Sequence, residues 1–209
     1  GRSGSDAYPS GRYLYVLSNG DADKNEFTIW DISNVASSSE VGGVDLGTLS
    51  GAEVEVVDRY AYLMKDSNSG TCSGTTLTGC EFSIYDISNP ASPAAVAGLN
   101  LASGSNAASS PELMIAGRYA YIAQLASVGA CNLTVLPTGC EFQIIDISNP
   151  ASPLVAGGVD TGDIAARAAF VSGRYAYVLK NVSASACSTT GATGCEFVIY
   201  ALGGADLGS

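Results

Sequence analysis

Histidine is missing from this 209-residue chain, and that absence alone removes several chemistries. Without an imidazole there is no Ser-His-Asp triad and no Cys-His nucleophile. A zinc site loses a standard ligand. Basic residues are scarce: 9 Lys and Arg stand against 20 Asp and Glu, for a net charge of −11. No basic cluster exists to neutralise phosphates, so a nucleic-acid partner is excluded. Charged residues of either sign make up only 14%, against roughly 25% in an average soluble domain. No apolar run approaches the roughly 20 residues of a membrane-spanning helix. No glycine-rich phosphate loop follows a strand and opens a helix. No long window sustains a helical period. The first residue is Gly1, which points to a processed or excised chain, and a mature chain would have lost its signal peptide.

What the chain has is one phrase said four times. It opens as Gly11-Arg12-Tyr13-Leu14-Tyr15, Asp58-Arg59-Tyr60-Ala61-Tyr62, Gly117-Arg118-Tyr119-Ala120-Tyr121 and Gly173-Arg174-Tyr175-Ala176-Tyr177. It closes as Glu26-Phe27-Thr28-Ile29-Trp30, Glu81-Phe82-Ser83-Ile84-Tyr85, Glu141-Phe142-Gln143-Ile144-Ile145 and Glu196-Phe197-Val198-Ile199-Tyr200. The arginines are 47, 59 and 56 residues apart. Tyr60, Tyr62 and Met64 alternate with Ala61 and Leu63, a period of two that marks strands. The second copy divides into strands A (Glu53–Val57), B (Arg59–Lys65), C (Phe82–Ile87) and D (Ala94–Leu99). Four antiparallel strands per repeat make one propeller blade. The expectation is an all-β, β-propeller-type protein. It forms a single domain of four blades, at about 1–50, 51–105, 106–162 and 163–209.

Between strands C and D, Asp86-Ile87-Ser88-Asn89-Pro90-Ala91-Ser92-Pro93 recurs as Asp146-Ile147-Ser148-Asn149-Pro150-Ala151-Ser152-Pro153. A degenerate form runs from Asp31 to Ser37. With the preceding Arg-Tyr-Ala-Tyr strand, this resembles the LVIVD-type repeat of bacterial and archaeal surface β-propellers. The resemblance implies a propeller and an extracellular setting, and no reaction. The fourth repeat departs from it: Ala201-Leu202-Gly203-Gly204 replaces the Asp-Ile-Ser-Asn turn. Either the last blade is incomplete or the chain is part of something longer.

The six cysteines fall at one place in three repeats, as Cys72/Cys80, Cys131/Cys140 and Cys187/Cys195. An even count, local pairs and no CxxC predict three disulfides, each stapling the loop between strands B and C. The alternative is buried thiols, which rarely keep register with a repeat. The implied compartment is oxidising: cell surface, periplasm or medium. The first repeat has no staple. Its loop carries Asp21, Asp23 and Asn25 at the alternating spacing of calcium ligands, without the glycine and the final acid of a full calcium loop. An acidic hairpin turn without metal accounts for the same residues. Two sequons for N-glycosylation, at Asn132 and Asn181, lie in these same hairpins.

Six residues before each arginine stand Asp6, Glu53, Glu112 and Ala168, the last preceded by Arg167. If four blades close, the three carboxylates converge at one mouth of the central channel, where they hold a cation or accept a basic group of a ligand, pair with Arg167, or are simply solvated. Arg12/Asp31, Arg59/Asp86 and Arg118/Asp146 are expected as cross-strand pairs. The Tyr-x-Tyr strands read as packing between blades. Nothing singles out a catalytic pair of acids for a glycosidase or lyase. The sequence favours an extracellular, non-enzymatic module that assembles with copies of itself or adheres. The second reading is a recognition face for a protein or glycan on the stapled hairpins.

Overall fold

A computed structural model describes residues 3–19, 24–47, 51–65, 71–101, 112–124, 131–133, 139–161, 165–181, 186–188 and 194–203. These fold into four antiparallel sheets, with one short 3-10 turn at Val35–Ser37. The chain divides into two compact units, Gly1–Asn100 and Leu101–Ser209, and each holds two blades.

In the first unit, blade 1 is β1 (Gly4–Ser10), β2 (Tyr13–Ser18), β3 (Phe27–Asp31) and β4 (Ser39–Val44), paired in sequence order. Blade 2 repeats it with β5 (Gly51–Val57), β6 (Tyr60–Lys65), β7 (Phe82–Asp86) and β8 (Ala94–Leu99). In the second unit, blade 3 is β9 (Glu112–Ala116), β10 (Tyr119–Ala123), β11 (Phe142–Asp146) and β12 (Leu154–Val159). Blade 4 comprises β13 (Ala166–Ser172), β14 (Tyr175–Lys180) and β15 (Phe197–Ala201), with no fourth strand among the described residues.

The first hairpin of every blade turns on two residues, as the pairs Ser10↔Tyr13 and Ser172↔Tyr175 show. So tight a turn needs a positive φ at its first position. Gly11, Gly117 and Gly173 supply it at 59°, 60° and 60°. Asp58 takes φ 54° in the second blade, since aspartate tolerates the left-handed region better than most residues. The arginine that forms the second residue of each turn lies over the next tyrosine, 5.1 to 5.4 Å from the ring centroid.

Asp31, Asp86 and Asp146 work in two directions. Oδ2 pairs with Arg12, Arg59 and Arg118. Oδ1 accepts from the backbone N of Ser33, Ser88 and Ser148 at 2.9 Å. One carboxylate thus ties the first hairpin to the turn that leads into the fourth strand. Hydrogen bonds from arginine and serine hold Asp31 and Asp146 below the usual carboxylate range; for Asp86 the serine leads.

Period-2 alternation gives every blade two faces. The face carrying Tyr15, Leu17, Phe27 and Ile29 is here called trailing, and the opposite face, with Leu14, Val16, Thr28 and Trp30, leading. In the first unit the trailing face of blade 1 is buried together with Val54, Val56, Ala61, Leu63 and Tyr85 of blade 2. In the second unit Tyr121, Ala123, Phe142 and Ile144 of blade 3 are buried with Ala169, Val171, Ala176 and Val178 of blade 4. An aromatic contact marks each seam: Phe27 to Tyr85 at 6.1 Å, and Phe142 to Tyr200 at 6.2 Å. Cores of this kind form because a single sheet cannot bury its own face.

Candidate functional site

Two places combine chemistry with geometry: the loops between the second and third strands, and the trailing face of blade 4.

The loops are closed by three disulfides. Cys72–Cys80, Cys131–Cys140 and Cys187–Cys195 bring their Cα atoms to 4.8, 4.5 and 4.3 Å. Cys80 and Cys140 are fully buried, so each staple presses its loop onto the blade. Glycine is needed opposite them. A Cβ at Gly98 would lie 2.6 Å from Cys80 Sγ and 2.7 Å from Phe82 O. The glutamate of the Glu-Phe phrase directly follows the second cysteine of each staple, and blade 1, which has no staple, keeps it as Glu26. Glu26 and Glu141 are wholly buried. Their Oε2 atoms accept from Leu46 N and Thr161 N, both at 2.7 Å. They anchor the chain just past the fourth strand.

A second polar position stands at the end of the second strand, or just past it in blade 3. It holds Ser18, Lys65, Gln124 and Lys180, all buried. Lys65 Nζ donates to Leu77 O at 2.7 Å, Gln124 Nε2 to Cys140 O at 2.8 Å, and Lys180 Nζ to Thr161 O at 3.1 Å. Burial pushes Lys65 down to about 8, against the pull of Glu81. These groups satisfy loop carbonyls, as buried polar groups must. The sequence reading missed them; the recurring glutamate before Phe27, Phe82, Phe142 and Phe197 was the available signal. In blade 2 the loop also borders a cavity of about 410 Å3, lined by Asp45, Lys65, Thr75, Thr76, Thr78 and Tyr85 among others.

The remaining predicted residues fall as follows. Asp6 Oδ2 accepts from Val54 N at 2.8 Å, a hydrogen bond from blade 1 to blade 2. Glu53 lies near the start of β5, Glu112 opens β9, and both are partly exposed. Arg167 Nε donates to Asn181 Oδ1 at 2.8 Å. Asn132 and Asn181 are exposed. Asp21 and Asp23 lie outside the described residues, and Asn25 is half-buried. Among the described residues no group of three or more Asp, Glu or Cys side chains is placed to hold a metal ion. No helix among them is long and apolar enough to cross a membrane.

The trailing face of blade 4 is unlike the other three. Leu17, Phe27 and Ile29 are fully buried, as are Phe82, Ile84 and Phe142 to within 2%. At the same positions of blade 4, Leu179 is 49%, Phe197 52% and Ile199 52% exposed, with Phe170 beside them at 61%. Registers place these four together: Phe170 faces Tyr177, which faces Ile199, and Leu179 faces Phe197. Tyr177 stacks on Phe197 at 6.4 Å, as Tyr15 does on Phe27. The face is built like the others and left uncovered.

The LVIVD repeat model matches residues 1–46, 78–99 and 138–161. Among solved structures, the computationally designed Ika4 protein superposes with a TM-score of 0.53 at 11% identity, over 96% of this chain and 92% of that one. The designed Ika8 protein follows at 0.51 and 11% identity, over 95% of this chain and 46% of that one. At such identity the likeness speaks for the fold alone. No curated protein matches the sequence.

Proposed function

We propose that this chain, which carries LVIVD repeats, is an extracellular, non-enzymatic β-propeller subunit that works by assembling at a surface. The observation that carries the reading is the uncovered apolar face of Phe170, Leu179, Phe197 and Ile199. The three disulfides support an oxidising location. The low charge supports a surface that packs against protein.

The carboxylates support a structural role over a glycosidase or lyase. Glu26 and Glu141 are buried and bonded to backbone amides, which supports a structural role for these two acids, and among the described residues no pair of acids stands out at the spacing such an enzyme needs. Light scattering across a hundredfold concentration range tests assembly. Mass above that of one chain is expected, and a monomer at every concentration would refute the reading.

A second reading has its own observation, the cavity by Thr75, Thr76, Thr78 and Asp45. Hydroxyls beside a carboxylate suit a polyhydroxylated ligand such as a glycan. Glycan-array binding that disappears in Asp45→Ala supports it, and a silent array removes it. Calcium at Asp21, Asp23 and Asn25 is also a proposal. A melting shift with calcium that vanishes in Asp21→Ala/Asp23→Ala is its test.

A further inference from the structure

The fold itself shows what covers a trailing face. In both compact units the cover is the leading face of the next blade. Its residues keep one pattern. Blade 2 offers Ala61, Leu63, Ser83 and Tyr85, and blade 4 offers Ala176, Val178, Val198 and Tyr200. The last position is aromatic, and it meets the trailing phenylalanine: Tyr85 on Phe27, Tyr200 on Phe142.

Blade 1 has the same pattern as Leu14, Val16, Thr28 and Trp30. Three of these stay half-exposed, unlike Ala61, Leu63 and Tyr85 at the equivalent positions of blade 2, which are at most 4% exposed. They line an open cavity of about 520 Å3. Trp30 is held upright by a hydrogen bond from Nε1 to Thr28 Oγ1 at 3.0 Å. One chain therefore carries both halves of the seam, each partly exposed. Surfaces of this kind on a single chain associate head to tail.

We infer that the trailing face of blade 4 docks on the leading face of blade 1 in a second copy of this chain, with Phe197 seated on Trp30. The inference rests on the assembling role above and names the two surfaces and the partner. It needs no new chemistry: the docked seam repeats the one found within each compact unit. The rim adds one difference. Ala201 stands where the other blades place their aspartate, so Arg174 has no such carboxylate on its own blade.

Trp30 is the only tryptophan, so it reports on the leading face without a label. The full chain is titrated over concentration, following emission wavelength and mass by light scattering together. The expected result is a blue shift that tracks the rise in mass. Phe197→Asp, in another blade, should abolish both, and so should Val16→Asp on the leading face. Each variant keeps one intact half. Mixed together they should form a one-to-one dimer with a single seam, which neither forms alone; this also shows that both still fold.

A rise in mass with no change at Trp30 overturns this seam and leaves assembly standing. A monomer at all concentrations with unshifted Trp30 overturns both. A monomer whose Trp30 is already blue, and turns red in Phe197→Asp, also overturns docking between copies, because the two faces then meet within one chain.

Discussion

Lys65 carries its ammonium into the interior of blade 2, 1% exposed, with a loop carbonyl as its acceptor. Lysine is almost never fully buried, and the sequence reading placed it simply as the last residue of a strand. Only the disulfide-closed loop folded over it removes it from water. The folded value of about 8 lies below the ordinary lysine value of 10.5. Above pH 8 the native state therefore sheds a proton that the unfolded chain still holds. Stability contributed by Lys65 rises with pH from about 8 to about 10.5 and is flat below that window. A shift of that size corresponds to about 3 kcal/mol. Denaturant unfolding of the wild type at pH 7.5 and 9.5 should show the gain, and Lys65→Met should remove it. Equal slopes in both proteins would mean that Lys65 is not held in the way its burial indicates. Above pH 10 the trend reverses. Burial holds Tyr85 up at about 12, so the unfolded tyrosine ionises first and stability is lost as pH rises.

Among the elements, the stapled loop was largely legible. Cys72, Cys131 and Cys187 each precede a partner by eight or nine residues at the same point of the repeat. Local spacing and register are sequence properties. So were the strands, since Tyr-x-Tyr and Phe-x-Ile declare a period of two. The Arg-Asp pairs followed from hairpin register alone. The β-bulges beside Trp30, Tyr85 and Ile145 were not legible, because one extra residue in a ladder leaves no mark in composition. Replacing Cys72 and Cys80 together by alanine opens a ring of nine residues, worth about 2–3 kcal/mol by chain entropy. Hydrogen exchange should then show lost protection around Cys80 and Leu77 while β6 and β7 stay protected. Global loss of protection would mean that the staple supports the blade itself.

At the scale of the whole molecule, net charge and apolar faces oppose each other. A chain of net charge −11 repels its copies, and the Debye length falls from about 30 Å at 0.01 M salt to about 8 Å at 0.15 M. Association through Phe197 and Ile199 should therefore strengthen with salt. Weight-average mass should rise between 0.01 and 0.5 M sodium chloride; a fall would point to ion pairs across the contact instead. The repeated phrase, by itself, determined the all-β class, the strand count of the first three blades, the staples and the hairpin pairs. Each of these depends on residues close in sequence or at one register position. Which faces are covered was decided only in three dimensions. Phe27 and Phe197 sit in the same phrase with the same alternation, yet one is fully buried and the other is 52% exposed. Burial depends on the neighbouring blade, and no residue within a repeat records whether that neighbour is present.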